Sequence, residues 1–578
     1  MRLPLVSGAL LLALIAGPVL AAGQTDQKRS DYHDKHGLPV QPQVVGPVAS
    51  CSSLSGVDLT SIGGAGSRVV TAKQQVNDDG VAVCAVAGVL APSIGFQVEL
   101  PTRTWTQRYL QVGCGGLCGS ISLDAPAANG CVPLHDGRFV VASTDMGHQG
   151  NGGAFGSDPQ KRADFAYRGV HLTALASKAL IEAFYGQQPE YSYFSGCSDG
   201  GREALVEAQR YPDDFNGIVA GAPAMNFQVQ NSLLHGWQAQ VNKAPDGRAV
   251  LVASRLPVLH KAVLAQCDGL DGQTDGLLSD PRICEFDPAT IQCASDEDSS
   301  QCLTAAEVRT ARLIYQGPRD VETGERLAVG GPQPGSELAW SGVFVPETVD
   351  DPLFSETIAL DALRYLVFEA APQPAYTLDQ LAFNTETFDR LRARHPLFDA
   401  TNPDLSAFAR KGGKLILWHG WSDQHISPIN TIAYHEAVQR YMGERQANRF
   451  ERLYLVPGMY HCSGGEGPSE MDLLSPVMRW VESGWAPDEI IVHKASAEAD
   501  EGMTAATSGK NAGDRHGKKP VSVAEGMPVY PYPYVARYAG RGNSHNGGAY
   551  KRGAPLTNAL TPDWRGAGFY APYEPREL

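Results

Sequence analysis

At 578 residues, 43% of them apolar and 19% charged, the chain has the composition of a globular protein. It is long enough for two domains, or for one large domain with a big insertion. A formal net charge of -16 and a pI of about 5.4 argue against nucleic acid or an anionic membrane as partner.

The chain begins with Arg2, an apolar run from Leu10 to Ile15, and then Gly17-Pro18-Val19-Leu20-Ala21-Ala22. Charge, apolar core and small-residue end come in the order of a secretory signal peptide over residues 1–22. The run is too short to span a bilayer comfortably, and no later stretch reaches about 18 apolar residues, so the expectation is an exported protein with no membrane in its mature form. Eleven cysteines in such a chain imply several disulfides and one thiol left over.

Residues 23 to about 50 are polar and without periodicity, an extended arm. Cys51 and Cys84 bracket short strand signals at residues 67–70 and 81–83, and a disulfide between them would tie this N-terminal flap; the pairing stays open here. Residues 95–100 and 107–112 read as strands, and the second runs into Gly113-Cys114-Gly115-Gly116-Leu117-Cys118-Gly119. This glycine-rich loop has two readings. It can supply a backbone N–H from Gly115 or Gly116 to an oxyanion, or it is a flexible turn stapled by a disulfide such as Cys118–Cys131. No Gly-Lys-Ser/Thr follows, so it is not a phosphate loop.

Residues 139–148 form another buried strand ending in a turn, and residues 170–184 carry apolar side chains at helical spacing. Next comes the strand Tyr191-Ser192-Tyr193-Phe194, then Gly196-Cys197-Ser198-Asp199-Gly200, then the helical Arg202-Glu203-Ala204-Leu205-Val206-Glu207-Ala208. The centre matches Gly-x-Ser-x-Gly, the nucleophile elbow, where a sharp strand-to-helix turn lifts the serine oxygen above a sheet. A bare match is weak; the strand before and the helix after give it weight. Residues 215–223 are the next strand. Strand and helix alternate, which predicts an α/β fold with a mostly parallel sheet and crossover helices.

The alternation breaks from 226 to 400, a helical, loop-rich stretch with four cysteines, and resumes with strands at 413–420 and 450–456. The expected organisation is an α/β-hydrolase core in two parts, residues 23–225 and 401–578 with the C-terminal tail. An inserted lid domain, 226–400, separates them.

Two strand ends carry the chemistry that a serine needs. Leu415-Ile416-Leu417-Trp418 ends in His419-Gly420-Trp421-Ser422-Asp423, and Leu453-Tyr454-Leu455-Val456 ends in Pro457-Gly458-Met459-Tyr460-His461-Cys462. Ser198, Asp423 and His461 follow the chain order of α/β-hydrolases. His419 and His425 compete for the base role but lie too near Asp423 on one loop. In the expected mechanism His461 takes the Ser198 proton, Asp423 fixes the imidazole tautomer, and the N–H groups of Asp199 and of Gly115 or Gly116 hold the oxyanion. Cys197 adjoins Ser198, and Cys462 adjoins His461. A disulfide between them would bring nucleophile and base within reach; two buried free thiols are the plain alternative.

Gly-Cys-Ser-Asp-Gly-Gly, His-Gly-Trp-Ser-Asp and Gly-Met-Tyr-His-Cys together resemble the tannase and feruloyl esterase family, which includes MHETase-like esterases. The resemblance runs from about residue 50 to 550 and takes in Thr144-Asp145-Met146-Gly147-His148 and Pro533-Tyr534-Val535-Ala536-Arg537-Tyr538. It implies an α/β-hydrolase core, the Cys197–Cys462 disulfide, a lid that grips an aromatic acid, and a lid-bound structural Ca²⁺. On that implication the ion's ligands are Asp268, Asp271 and Asp275 with the carbonyls of Gln273 and Leu277. The loop is held by Cys267–Cys284, and Cys293–Cys302 closes a second small loop. An Asp-Gly turn without metal is the alternative. The family often carries a C-terminal disulfide near positions that are Val529 and Tyr550 here, a departure in this chain.

The resulting expectation is an exported serine carboxylesterase acting on small-molecule esters of aromatic, phenolic acids. Its alternatives are an MHETase-like hydrolase of terephthalate monoesters, a thiol hydrolase using Cys197, and a calcium-dependent binding protein on the same scaffold. Arg364, Tyr365 and Phe368 are candidates for the acid pocket, though core helix packing is the better reading of the trio.

Overall fold

The computed structural model describes residues 43–294, 300–369, 376–494, 526–542 and 546–577. The expected signal peptide and most of the N-terminal arm fall outside them. A nine-stranded sheet organises the chain: β1 (Arg68–Val76), β2 (Ala82–Leu90), β3 (Ile94–Pro101), β4 (Arg108–Val112), β5 (Phe139–Thr144), β6 (Tyr191–Cys197), β7 (Gly217–Gly221), β8 (Lys414–Gly420) and β9 (Glu451–Val456). Its spatial order is β1-β2-β3-β5-β4-β6-β7-β8-β9. The pairs from β5 to β9 are parallel, and β1, β2 and β3 join antiparallel at one edge. The N-terminal flap, expected within the 23–225 part of the core, is the antiparallel edge of the main sheet. The Cys51–Cys84 disulfide ties it down.

The apolar runs of the central strands follow from two-sided burial. Along β8, Leu415 and Leu417 enter one apolar cluster while Ile416 and Trp418 enter another on the opposite face. Phe194 and Tyr193 on β6 divide in the same way, as the period of two of a strand requires. Helices α1 (Gly169–Tyr185), α2 (Asp199–Arg210) and α3 (Pro428–Met442) contribute to the first cluster, and α4 (Leu474–Ser483) to the second. The α/β class expected from strand–helix alternation is the class observed.

Between β7 and β8 the insertion adds no strand to the main sheet among the described residues. It has an apolar centre of its own, including Leu251, Leu256, Val308, Ile314, Trp340 and Phe344. Cys267–Cys284 and Cys293–Cys302 staple it as expected. The suggested Cys118–Cys131 pair is not formed. Cys118 bonds to Cys114 within the glycine-rich loop itself. Cys131 is the leftover thiol, fully buried and pushed up to about 12 by desolvation. Where the family often has a cystine, Val529 pairs with Ile490 in a small antiparallel sheet, and the Tyr550 hydroxyl meets the Gln273 amide at 3.3 Å.

Candidate active site

β6 ends at Cys197 and α2 starts at Asp199, so Ser198 forms the whole turn, at φ 64° and ψ -121°. Positive φ costs a side-chain-bearing residue energy, and such strain is kept where surroundings enforce it. Here the enforcement is backbone packing. A Cβ on Gly196 would sit 2.2 Å from the Gly200 carbonyl oxygen, and one on Gly201 would sit 2.3 Å from that of Gly221. The Ser198 N–H donates to the Gly221 oxygen at 3.0 Å, while the Ser198 carbonyl accepts from Gly201, Arg202 and Ala224.

Asp423 lies past the end of β8, 1% exposed. Its Oδ1 accepts the N–H groups of His425 and Ile426, both at 2.8 Å. Its Oδ2 meets His461 Nδ1 at 2.7 Å and His419 Nε2 at 3.1 Å. Burial opposes the charge on this carboxylate. The positive charge that His461 carries once protonated and the hydrogen bonds from both histidines outweigh it and hold the carboxyl well below the usual range. With Nδ1 committed to Asp423, the Nε2 of His461 is the nitrogen left for a proton on the serine side.

The loops bearing Asp423 and His461 are fastened to each other. Trp421 donates its N–H to the Val456 oxygen at 2.9 Å, and Ser422 donates to that of Met459 at 3.0 Å. A Cβ on Gly420 would lie 2.2 Å from the Met459 oxygen, so only glycine permits this approach. The His461 N–H donates to Gln424 Oε1 at 3.2 Å. Cys197 and Cys462 are disulfide-bonded with Cα atoms 6.0 Å apart. Ser198 and His461 are each one residue from a bonded cysteine, a step of about 3.8 Å.

The glycine-rich loop meets the elbow from the other side. A Cβ on Gly113 would lie 2.7 Å from the Gly200 Cα, and the Cys114 N–H donates to Glu203 on α2. Gly115 and Gly116 stand exposed, with nothing within 4 Å of an added Cβ. Asp199 is the first residue of α2.

A sequence profile described as Tannase and feruloyl esterase matches residues 79–552. The chain belongs to the tannase and feruloyl esterase family. A probable feruloyl esterase B-1 of Aspergillus flavus is 32% identical, over 83% of this chain and 91% of that relative. Mono(2-hydroxyethyl) terephthalate hydrolase of Piscinibacter sakaiensis is 31% identical, over 82% and 85%. The crystal structure of feruloyl esterase B from Aspergillus oryzae superposes with a TM-score of 0.72 at 26% identity, covering 87% of this chain and 100% of that one. The sheet is accordingly that of an α/β-hydrolase, and the protein is a carboxylic ester hydrolase.

Within this esterase the rival histidines have other positions. His419 is fully buried, its Nδ1 on Thr431 Oγ1 at 2.8 Å and its Nε2 on Asp423 and the Ile426 oxygen. It holds the acid. The His425 ring lies 4.9 Å from that of His461 and 6.1 Å from that of His235, with Phe354 edge-on to both. Burial keeps His425 neutral, and His235 is lowered to about 3 for the same reason. No local sequence signal links His235 to His425, because the contact is made by folding the insertion over the sheet. Arg364, Tyr365 and Phe368 take the helix-packing role: Arg364 Nε donates to the Tyr376 oxygen at 2.8 Å, and Arg390 covers the Phe368 ring at 4.4 Å.

In the 268–277 loop, Asp268 Oδ1 accepts the N–H of Asp275 and Gly276 at 3.1 Å, and Asp271 Oδ2 accepts that of Ser279 at 3.0 Å. Asp275 is raised from its ordinary value by desolvation and by the neighbouring charges of Asp271 and Asp268. Carboxylate and carbonyl oxygens are the hard donors a divalent cation takes, so the chemistry of this loop fits such an ion.

Proposed function

We propose that this protein is an exported serine carboxylesterase that hydrolyses esters of aromatic, phenolic acids through an acyl-enzyme. The observation that carries the reading is the 2.7 Å contact between Asp423 and His461, set beside the Cys197–Cys462 bond that draws Ser198 to the same place. His461 Nε2 takes the proton from Ser198 Oγ as that oxygen bonds to the ester carbonyl carbon. The oxyanion is held by the N–H of Asp199 and of Gly115 or Gly116. The C–O bond to the alcohol then breaks, with the His461 proton passing to the leaving oxygen. Water repeats the sequence in reverse: it loses a proton to His461, attacks the acyl carbon and releases the free acid and Ser198. Cys197 cannot be the nucleophile while it is bonded to Cys462.

The insertion over residues 226–400 serves as a lid that places the acid's ring over Ser198. Asp268, Asp271 and Asp275, with the carbonyls of Gln273 and Leu277, would hold Ca²⁺, which neutralises the crowded acids and stiffens the lid. Export is supported by the charge, apolar run and small-residue end of residues 1–22. No helix among the described residues is long and apolar enough to cross a membrane.

The relationship to a terephthalate monoester hydrolase favours a second substrate reading. Initial rates on methyl ferulate, methyl gallate and mono(2-hydroxyethyl) terephthalate decide between them. Preference for either phenolic ester is the expected result. Ser198→Ala is expected to lower kcat by more than about 10⁴-fold on every ester, and residual turnover near the wild-type rate would overturn the esterase site.

A further inference from the structure

The glycine-rich loop and the elbow helix are joined through one buried acid. Glu203, one turn into α2, is 1% exposed. Its Oε2 accepts the backbone N–H of Cys114 at 3.2 Å and would be 2.8 Å from a Cβ on Gly113. Its Oε1 faces the Cys114–Cys118 disulfide, 2.7 Å from one sulfur and 3.3 Å from the other. Bonded to each other, those sulfurs carry no proton to give. The other neighbour is Asp199, whose Oδ2 lies 3.5 Å from Cys118 Sγ. That carboxylate is already gripped by Arg202 at 2.6 and 2.9 Å, and Arg202 in turn donates to the carbonyls of Phe165 and Ala166.

We propose that Glu203 is a positioning residue that sets the glycine-rich loop against α2, so that the Gly115 and Asp199 amides converge on one point. The inference rests on the Ser198 esterase reading. Two observations support it beyond the contacts. The site offers Glu203 no cation of its own, because Arg202 spends both forks on Asp199 and on carbonyls. Burial and the Asp199 charge raise its carboxyl well above the usual range, so the proton stays on and is shared toward Asp199. Moreover, Glu203 uses the Cys114 N–H, which leaves the following amides to face substrate. Glu203 touches no reacting atom; it acts through the loop.

The test is steady-state kinetics on a soluble phenolic methyl ester, with affinity for a boronic acid that mimics the tetrahedral adduct. Glutamine reproduces a protonated glutamate, so Glu203→Gln is expected to keep kcat within about twofold. Glu203→Met removes the acceptor and is expected to lower kcat at least tenfold with KM changed less than threefold, and to weaken the boronate in parallel. Glu203→Asp falls one methylene short of the Cys114 N–H. It should show the same kcat-selective loss, and it decides the matter if the methionine variant does not fold. Wild-type kcat in folded Glu203→Asp or Glu203→Met, or a Glu203→Gln as impaired as Glu203→Met, would overturn the proposal. An active Ser198→Ala would instead sink the esterase site beneath it.

Discussion

Asp423 and His461 stand on loops tied to each other by backbone hydrogen bonds, and a cystine ties the His461 loop to the elbow that carries Ser198. The insertion between β7 and β8 is held by local means. Its cystines span 17 and 9 residues, and buried pairs such as His260 with Glu337 at 2.7 Å and Arg255 with Glu307 at 2.6 Å fill the gaps between short helices. The rim resists displacement because every strand end there is anchored in a nine-stranded sheet. The insertion depends on many small fastenings, each made within the insertion itself.

The sharpest way to break the rim is at its charge. Asp423→Asn keeps the size of the side chain but loses an acceptor toward His461 or His419, and kcat is expected to fall by about 10⁴-fold with the fold intact by circular dichroism. Next comes its covalent tie. The Cys197→Ala/Cys462→Ala pair releases a staple closing a separation of 265 residues, and denaturant titration is expected to show a loss of about 4 kcal/mol together with a lower kcat. The insertion should answer to a different reagent. Chelation with EGTA is expected to lower the thermal midpoint by several degrees with restoration by Ca²⁺, while Asp275→Asn makes the midpoint insensitive to chelator.

The smallest effect concerns Asp145, at the end of β5 and outside both regions. Burial pushes its carboxyl up to about 6, against hydrogen bonds from the N–H groups of Gly147 and Gly95. An acid bound more tightly to its proton when folded stabilises fully below the unfolded value of 3.8, and that stability is lost as pH rises through about 6. Asp145→Asn is therefore expected to gain about 1–2 kcal/mol at pH near 8 relative to pH near 4, read as the difference between two denaturation curves.

The rim was legible because its residues announce themselves locally. Gly196-Cys197-Ser198-Asp199-Gly200 needs its glycines for backbone contacts that the elbow imposes. Leu415 to Trp418 and Leu453 to Val456 are apolar throughout, since both faces of those strands are covered. Cys197 and Cys462 were paired by their adjacency to Ser198 and His461. Sequence spacing failed where a short-range solution competed with a longer one. Cys118 bonds to Cys114 across four residues rather than to Cys131, because the glycines between them let the loop fold back on itself. The edge strands β1 and β2 were read as a flap, since a strand exposed on one side, such as β1, lacks the apolar run that marks the sheet's centre. His235, His425 and Glu203 gain their meaning only from neighbours far along the chain.

One covalent detail bears on how the enzyme comes into being. A polypeptide made from its N-terminus displays Cys197 to an oxidant while Cys462 is still 265 residues away. The pairs Cys51–Cys84, Cys114–Cys118, Cys267–Cys284 and Cys293–Cys302 span 33 residues or fewer and close early. The bond beside the nucleophile is the one long-range cystine among these five, and it cannot form until residue 462 has been made.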